Sequence, residues 1–429
     1  MALTRLNPDK AESAVAKGAH QIIERAIKTG VTDIHVEPND SYLLVRYRRA
    51  GSLYLANKIP NLKALSLIKH LKSLANLDTS NINEPQSGNS TLKSGRREYQ
   101  LTISTLPLIK GEKVTIHINS TGAPVDDLRA MGIWGPTRRI VERTLGSPRG
   151  LVLVTGRNPE ALSRSIVSFL SQYGSLPVKV AMIGVNTFAP KAVKSTVPIS
   201  KANLSISRQI NLLIREEINV LGVNPVIDHQ TATAVLSAIN GGILVFGGIP
   251  ASSLAQGLVS IQYLIKEPLG LIPDVVCVGQ NEVRGICPGC REKYMLSSVD
   301  RQTLDKFFGT SKTVKIKQLH ELEKEALKDK LEPNLPLTST TSSINQLWRS
   351  SSHGCKQCDY TGYAQSVGLF EACRLSDDLK KHLLEGALVS EIYKTAVEEG
   401  MISLLADAFV KALRGMIDLP TLISVASLK

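Results

Sequence analysis

Apolar positions along the first third of the chain change period several times. In AESAVAKGAHQIIERAIKT (11–29), Val15, Ile22, Ile23, Ala26 and Ile27 recur at helical spacing, which predicts a helix. The period then falls to two in TDIHVEP and YLLVRYRRAGSLYLA, predicting strands that turn near Ala50-Gly51. ALSLIKHLKSLANL (64–77) reads as helix again. STLKSGRREYQLTISTLP and EKVTIHI read as strands around a glycine-containing turn. Together these elements predict an α+β domain over residues 1–122.

From about Val125 the pattern changes. LVLVT, VKVAMIGV, INVLGV and GGILVFG are short, almost wholly apolar runs separated by helical stretches. Such runs predict strands buried on both faces, hence an α/β domain (123–285) with a mostly parallel sheet and helices on either side. Beyond it, residues 286–373 open with CPGC and close around GCKQC. Between them lie a charged helix, IKQLHELEKEALKDKL, and a Ser/Thr-rich connector expected to be a mobile insert at 330–353. A helical region, 374–429, completes the chain with a break at Glu399-Gly400. No repeat of 20–50 residues is present.

Composition narrows the function classes. The chain has 429 residues, 43% hydrophobic and 21% charged, an ordinary globular balance. Aromatics at 4% are too few for stacking platforms on single-stranded nucleic acid. The net charge of +13 and pI near 9.4 admit polyanionic partners, or a solvated basic surface. The start, MALTRLNPDK, lacks the apolar core of a signal peptide. The long uncharged segment Gln230–Ile265 is interrupted by Asn240, Gly241, Gly242, Gly247, Gly248 and Pro250, so it predicts strand and helix rather than a membrane span. A cytosolic protein with reduced cysteines is expected.

Two C-x-x-C pairs carry the strongest chemical signal: Cys287-Pro-Gly-Cys290 and Cys355-Lys-Gln-Cys358. Two such knuckles fill all four positions of a tetrahedral ion and leave none for water or substrate, the pattern of structural zinc. Cys277 and Cys373 fall outside it and read as small buried hydrophobes. GLVLVTGRNPEALSRS (150–165) has the strand, turn and helix start of a phosphate-binding loop. The pattern G-x-x-x-x-G-K-[ST] is broken, because Ala161 and Leu162 stand where glycine and lysine are required before Ser163.

The order of these pieces resembles the type II secretion and type IV pilus assembly ATPases. TDIHVEP with VRYRRAGSL resembles their SDIHIEP…VRYRIDG, and STLPLIKGEKVTIHI resembles STLPTxxGEKVVLRLL. SPRGLVLVTG resembles the approach to their phosphate loop. VRGICPGC and GCKQCDYTGYAQSVGLFE resemble VRKLCPHC and GCxxCxxTGYxGRxGIxE. The resemblance runs from about residue 11 to 429. It implies an N-terminal domain hinged to a RecA-like domain, a hexameric ring of itself or with an active paralogue, and a cytosolic seat beneath an inner-membrane platform protein.

The catalytic boxes depart from that pattern. Leu162 removes the lysine's charge-assisted bond, worth about 1.5–3 kcal/mol, or one to two orders of magnitude in affinity. Pro159 removes a backbone donor, and Glu160 adds negative charge beside a polyanion. The family's EDP aligns with Gly184-Val185-Asn186. Its DPDIIMIGEIRD aligns with Glu217–Asp228, so that Pro225, which has no polar side chain, replaces the carboxylate that would help hold magnesium or orient water. Its TGHLVLSTLHTND aligns with Asn240–Pro250, and both histidines are lost, to Gly242 and Ile249.

These losses predict a non-hydrolysing member of the family with no catalytic residues. If ATP and magnesium are still held, Gly156, Arg157, Ser163 and Arg164 are the candidate residues. A divergent active ATPase stays open, with Arg157 or Arg164 and Glu216, Glu217 or Asp228 as replacements. So does a zinc-stapled basic scaffold for nucleic acid or anionic membrane. No specific nucleic-acid partner is predicted, and Arg46, Arg48, Arg49 and the STLP segment suit inter-domain or inter-subunit contacts.

Overall fold

In a computed structural model, the described residues are 8–49, 52–94, 97–121, 127–184, 204–265, 269, 272, 274–310, 312–358 and 360–427. The chain divides into two compact units, residues 1–123 with 352–366, and residues 124–351 with 367–429.

The first unit opens with helix α1 (Pro8–Lys28) and strands β1 (Asp33–Pro38), β2 (Tyr42–Arg49) and β3 (Ser52–Pro60). A single 3-10 turn, Asn61–Lys63, leads into α2 (Ala64–Leu74). Strands β4 (Gln86–Ser94), β5 (Arg97–Leu108) and β6 (Gly111–Thr121) follow. The sheet order is β3-β2-β1-β6-β5-β4, with each neighbouring pair antiparallel. Alternation decides its faces. Leu43, Val45 and Tyr47 on β2 point inward with Ile34, Val36, Ile103, Val114 and Ile116, where α1 and α2 contribute Ile23, Leu67 and Leu71. The other face carries charge. Asp33 lies against Arg48 and His117, and Glu37 against Arg46 and Lys113. Burial pushes the Asp33 carboxyl up, but hydrogen bonds from His117 and Thr32 outweigh it and hold the group below its usual value.

The second unit begins with α3 (Gly135–Leu145), β7 (Gly150–Gly156), α4 (Pro159–Ser171), β8 (Val180–Gly184), α5 (Ile206–Arg215), β9 (Val220–Asn224), α6 (His229–Asn240), β10 (Leu244–Pro250), α7 (Leu254–Ile265) and β11 (Val275–Ile286). The four strands expected from apolar runs are β7 to β10. They form, with β11 and β14 (Tyr363–Arg374), a sheet of order β14-β11-β7-β10-β9-β8. Pairings β8·β9, β9·β10, β10·β7 and β7·β11 are parallel. Every residue of β7 is buried. Leu151 and Leu153 enter a core with α5, α6 and α7, while Val152 and Val154 enter one with α3 and α4. This is the α/β architecture expected, with helices on both faces of a mostly parallel sheet.

The rest of the unit comprises β12 (Glu292–Met295), α8 (Ser298–Phe308), α9 (Thr313–Lys328), β13 (Gln346–Arg349) and helices α10 (Asp377–Leu384), α11 (Val389–Glu398), α12 (Leu404–Leu413) and α13 (Leu419–Ala426). Long-range polar contacts tie these pieces down. Buried Glu371 on β14 accepts from the Leu254 and Leu404 amides at the starts of α7 and α12, and from the Tyr393 hydroxyl. Arg414 donates to the carbonyls of Leu331, Glu332, Leu335 and Pro336, while Glu323 accepts from the amides of Thr338 and Ser339. The Ser/Thr-rich connector is therefore anchored at its near end by buried charge. Asp407 is fully buried beside Lys411 at 2.7 Å and accepts from Trp134 Nε1 and the Phe370 amide.

Candidate functional site

The segment expected to bind phosphate is strand β7 leading through Arg157-Asn158 into α4. The geometry of this turn follows from its side chains. Asn158 takes the capping role: its Oδ1 accepts from the Ala161 amide at 3.4 Å, and its carbonyl accepts from the Leu162 amide at 3.1 Å. Leu162, in the lysine position, is fully buried among Val152, Val154, Ile166 and Phe246. A Cβ at Gly156 would lie 3.3 Å from its side chain and 3.0 Å from Gln280. Gln280 in turn accepts from Ser165 Oγ.

Ser163 is also buried, and its hydroxyl accepts from Asn224 Nδ2 at 2.7 Å. The same amide donates to the Pro159 carbonyl at 2.8 Å. Asn224 ends β9, has no exposed surface, and its Oδ1 has no partner among the described residues. Gly248 makes room for its side chain, and Gly184 for its backbone. A Cβ at Gly248 would fall 2.3 Å from Asn224 Oδ1, and one at Gly184 would fall 1.6 Å from the Asn224 carbonyl oxygen. Gly184 has φ +119°, a conformation that only glycine adopts readily. Asn224 therefore bridges the serine hydroxyl and the first residue of α4 through space bounded by Gly184 and Gly248.

The other sequence candidates are dispersed. Arg164 pairs with Glu282 at 2.6 Å, and Arg157 is exposed. Asp228 caps α6 by accepting from the Thr231 amide and hydroxyl. Glu216 and Glu217 lie in the exposed turn after α5, where the Glu216 carbonyl accepts from Lys179. Val185 and Asn186 lie outside the described residues. Sequence reading placed Asn224 only as a substituted position; its filling role was missed. The signal that could have found it is the coincidence of a larger residue at 224 with glycine at 248.

The second candidate is the cysteine set. The sulfurs of Cys287, Cys290, Cys355 and Cys358 all lie within 4.8 Å of one another. Each pair is closed by a turn from its first cysteine: the Cys287 carbonyl accepts from the amides of Cys290 and Arg291, and the Cys355 carbonyl from those of Cys358 and Tyr360. Cys358 Sγ accepts from the amides of Cys355 and Gly362, at 3.1 and 3.2 Å, contacts that favour a thiolate. Gly354, at φ +59°, has no space for a side chain against Tyr360. A tetrahedron with metal–sulfur bonds of about 2.3 Å has edges of about 3.8 Å, and the Cys355–Cys358 sulfurs are 3.8 Å apart. The donor set therefore fits a closed, soft tetrathiolate site. Cys277 and Cys373 stand apart as expected. Burial, reinforced by Glu371, pushes the Cys373 thiol up to about 12, and Cys277 is raised well above its usual value.

Residues 9–424 match the family model described as "Type II/IV secretion system protein". The chain belongs to this family. It is 24% identical over 377 residues to a type II secretion system protein E of Dickeya dadantii, covering 87% of this chain and 68% of that protein. It is 23% identical over 415 residues to the type IV pilus assembly ATPase PilB of Thermus thermophilus, covering 94% and 42%. Among solved structures, the Legionella pneumophila ATPase DotB superposes with TM-score 0.61 at 14% identity, covering 100% of this chain and 98% of that one. The pilus retraction motor PilT gives 0.51 at 12%, covering 94% and 95%. The family resemblance and α/β fold read from the sequence are thus borne out. No helix among the described residues is long and apolar enough to cross a membrane.

Proposed function

We propose that this secretion-family chain is a non-hydrolysing subunit of a type IV pilus assembly or type II secretion motor. It acts structurally or as a regulator within a cytoplasmic hexameric ring, with itself or with an active paralogous ATPase, beneath an inner-membrane platform protein. The observation that carries the reading is the Asn224 amide bonded to both Ser163 Oγ and the Pro159 carbonyl. In a working phosphate loop the corresponding hydroxyl ligates magnesium and a lysine meets the terminal phosphates. Here the hydroxyl is engaged by an amide, and the lysine position is a leucine committed to the core. Phosphoryl transfer depends on charge placed around the reacting phosphate, and these substitutions withdraw it.

The four cysteines hold a zinc ion in this reading, with a structural role only. The test is calorimetric titration of the zinc-loaded chain with Mg-ATP, alongside phosphate release and native mass measurement with and without an active paralogue. The expected result is no binding at micromolar nucleotide, no turnover, and incorporation into a ring. Micromolar affinity, or turnover abolished by Ser163→Ala, would establish the divergent-ATPase reading instead.

A further inference from the structure

From Ser41 to Leu77 the chain contains no aspartate or glutamate, yet it carries Arg46, Arg48, Arg49, Lys58, Lys63, Lys69 and Lys72. Several of these charges are used internally. Arg46 pairs with Glu37, Arg48 with Asp33, and buried Lys72 with Glu112. Lys58, Lys63 and Lys69 are exposed, and no ion pair involves them among the described residues.

The same surface exposes apolar side chains. α2 buries Leu67, Ile68 and Leu71 in the core of the first unit, which turns its opposite stripe outward. On that stripe and in the preceding turn, Leu62 is 94% and Leu65 59% exposed, followed one turn later by Lys69. Asn61 Nδ2, donating to the Asp40 carbonyl, fixes the turn beside Tyr42, itself 45% exposed.

We propose that this corner of the first unit, the end of β3 with the turn and α2, docks on an anionic lipid surface. Leu62 and Leu65 enter the headgroup boundary while Lys58, Lys63 and Lys69 meet the lipid phosphates. The leucines project outward, so a rigid protein partner would need matching pockets, whereas a headgroup layer deforms around them. Nucleic acid would use the lysines and gain nothing from the leucines. The segment itself carries no acid, and Asp40 beside the turn is paired with Lys110 at 2.5 Å, which suits a uniformly negative plane that attracts each nearby lysine. The inference does not depend on the state of the nucleotide site.

The test is flotation of the full chain with vesicles of phosphatidylcholine alone or mixed with phosphatidylglycerol, at low and high salt. Binding is expected only to the mixed vesicles and to weaken with salt. Lys58→Ser/Lys63→Ser/Lys69→Ser should weaken it roughly 100-fold, at roughly fivefold per lysine. Leu62→Ser/Leu65→Ser should weaken it roughly tenfold while preserving the salt dependence. A control of equal charge loss on α9, Lys315→Ser/Lys317→Ser/Lys328→Ser, should bind like the parent. All substituted side chains are exposed, and near-parental unfolding curves will show that the variants fold. Equal binding to both vesicles, binding unaffected by the lysine or leucine changes, or loss with the α9 control would overturn the proposal. So would binding to a DNA duplex or polyglutamate at matched charge that is tighter than binding to the mixed vesicles.

Discussion

Replacing Asn224 by alanine tests whether its side chain is a fitted filling of the phosphate turn. The change removes hydrogen bonds to Ser163 Oγ at 2.7 Å and to the Pro159 carbonyl at 2.8 Å. Each contributes about 0.5–1.5 kcal/mol net. The void left by the amide adds about 1 kcal/mol. Against this, the buried Oδ1 without a partner disappears, returning about 1–3 kcal/mol. The expected net loss is about 1 kcal/mol. Trp134 and Trp348 both belong to the second unit, so their fluorescence in urea reads its unfolding directly.

The sharper measurement is the cycle with Gly248→Ala, whose Cβ would stand 2.3 Å from Asn224 Oδ1. Overpacking there should cost about 1–3 kcal/mol in the parent, and most of that cost should vanish when residue 224 is alanine. Effects that add to within about 0.5 kcal/mol would mean that Asn224 does not occupy this space, and the reasoning would be wrong. Asn224→Ala alone should still fail to bind Mg-ATP in calorimetry, because Leu162 remains in the core.

Other outcomes are equally direct. Cys355→Ser should release one equivalent of zinc, measured by elemental analysis of the purified chain, and should increase amide exchange at residues 354–362. Lys411→Met leaves Asp407 buried and uncompensated, a loss of about 3–5 kcal/mol in urea unfolding, which adding Asp407→Asn should partly restore. Burial already pushes Asp407 up and Lys411 down, so neither group tolerates losing its partner. For pH, the lowered Asp33 carboxyl stabilises the first unit above the unfolded value near 3.8, and this contribution is lost as pH falls through the lower folded value. An Asp33→Asn chain should therefore show a flatter decline in stability over that acid range, followed by circular dichroism.

Much of the architecture could be read locally. Period-two alternation located β1, β2 and β3, and the four apolar runs located β7 to β10, because the burial of a strand's faces is written in adjacent residues. β11 and β14 were less legible: β11 continues past its buried stretch into polar positions such as Asn281 and Glu282, and β14 is buried only towards its end, at 369–373. The anchoring of the connector was also hidden, since Arg414 lies 78 residues from the Pro336 carbonyl it holds.

The two cysteine pairs and the broken phosphate pattern were determined by the sequence itself, because short spacings fix which thiols form one knuckle and which side chain follows a glycine turn; that the two knuckles meet at one site was decided by the fold. The fate of the broken site was decided only in three dimensions. Asn224 lies 61 residues from the serine it contacts, and parallel strands joined by crossover helices bring such distant positions together. A lost lysine is visible in one dimension. What fills the space around it depends on the packing of β8, β9, β10 and α4 around one amide, and no local pattern encodes that.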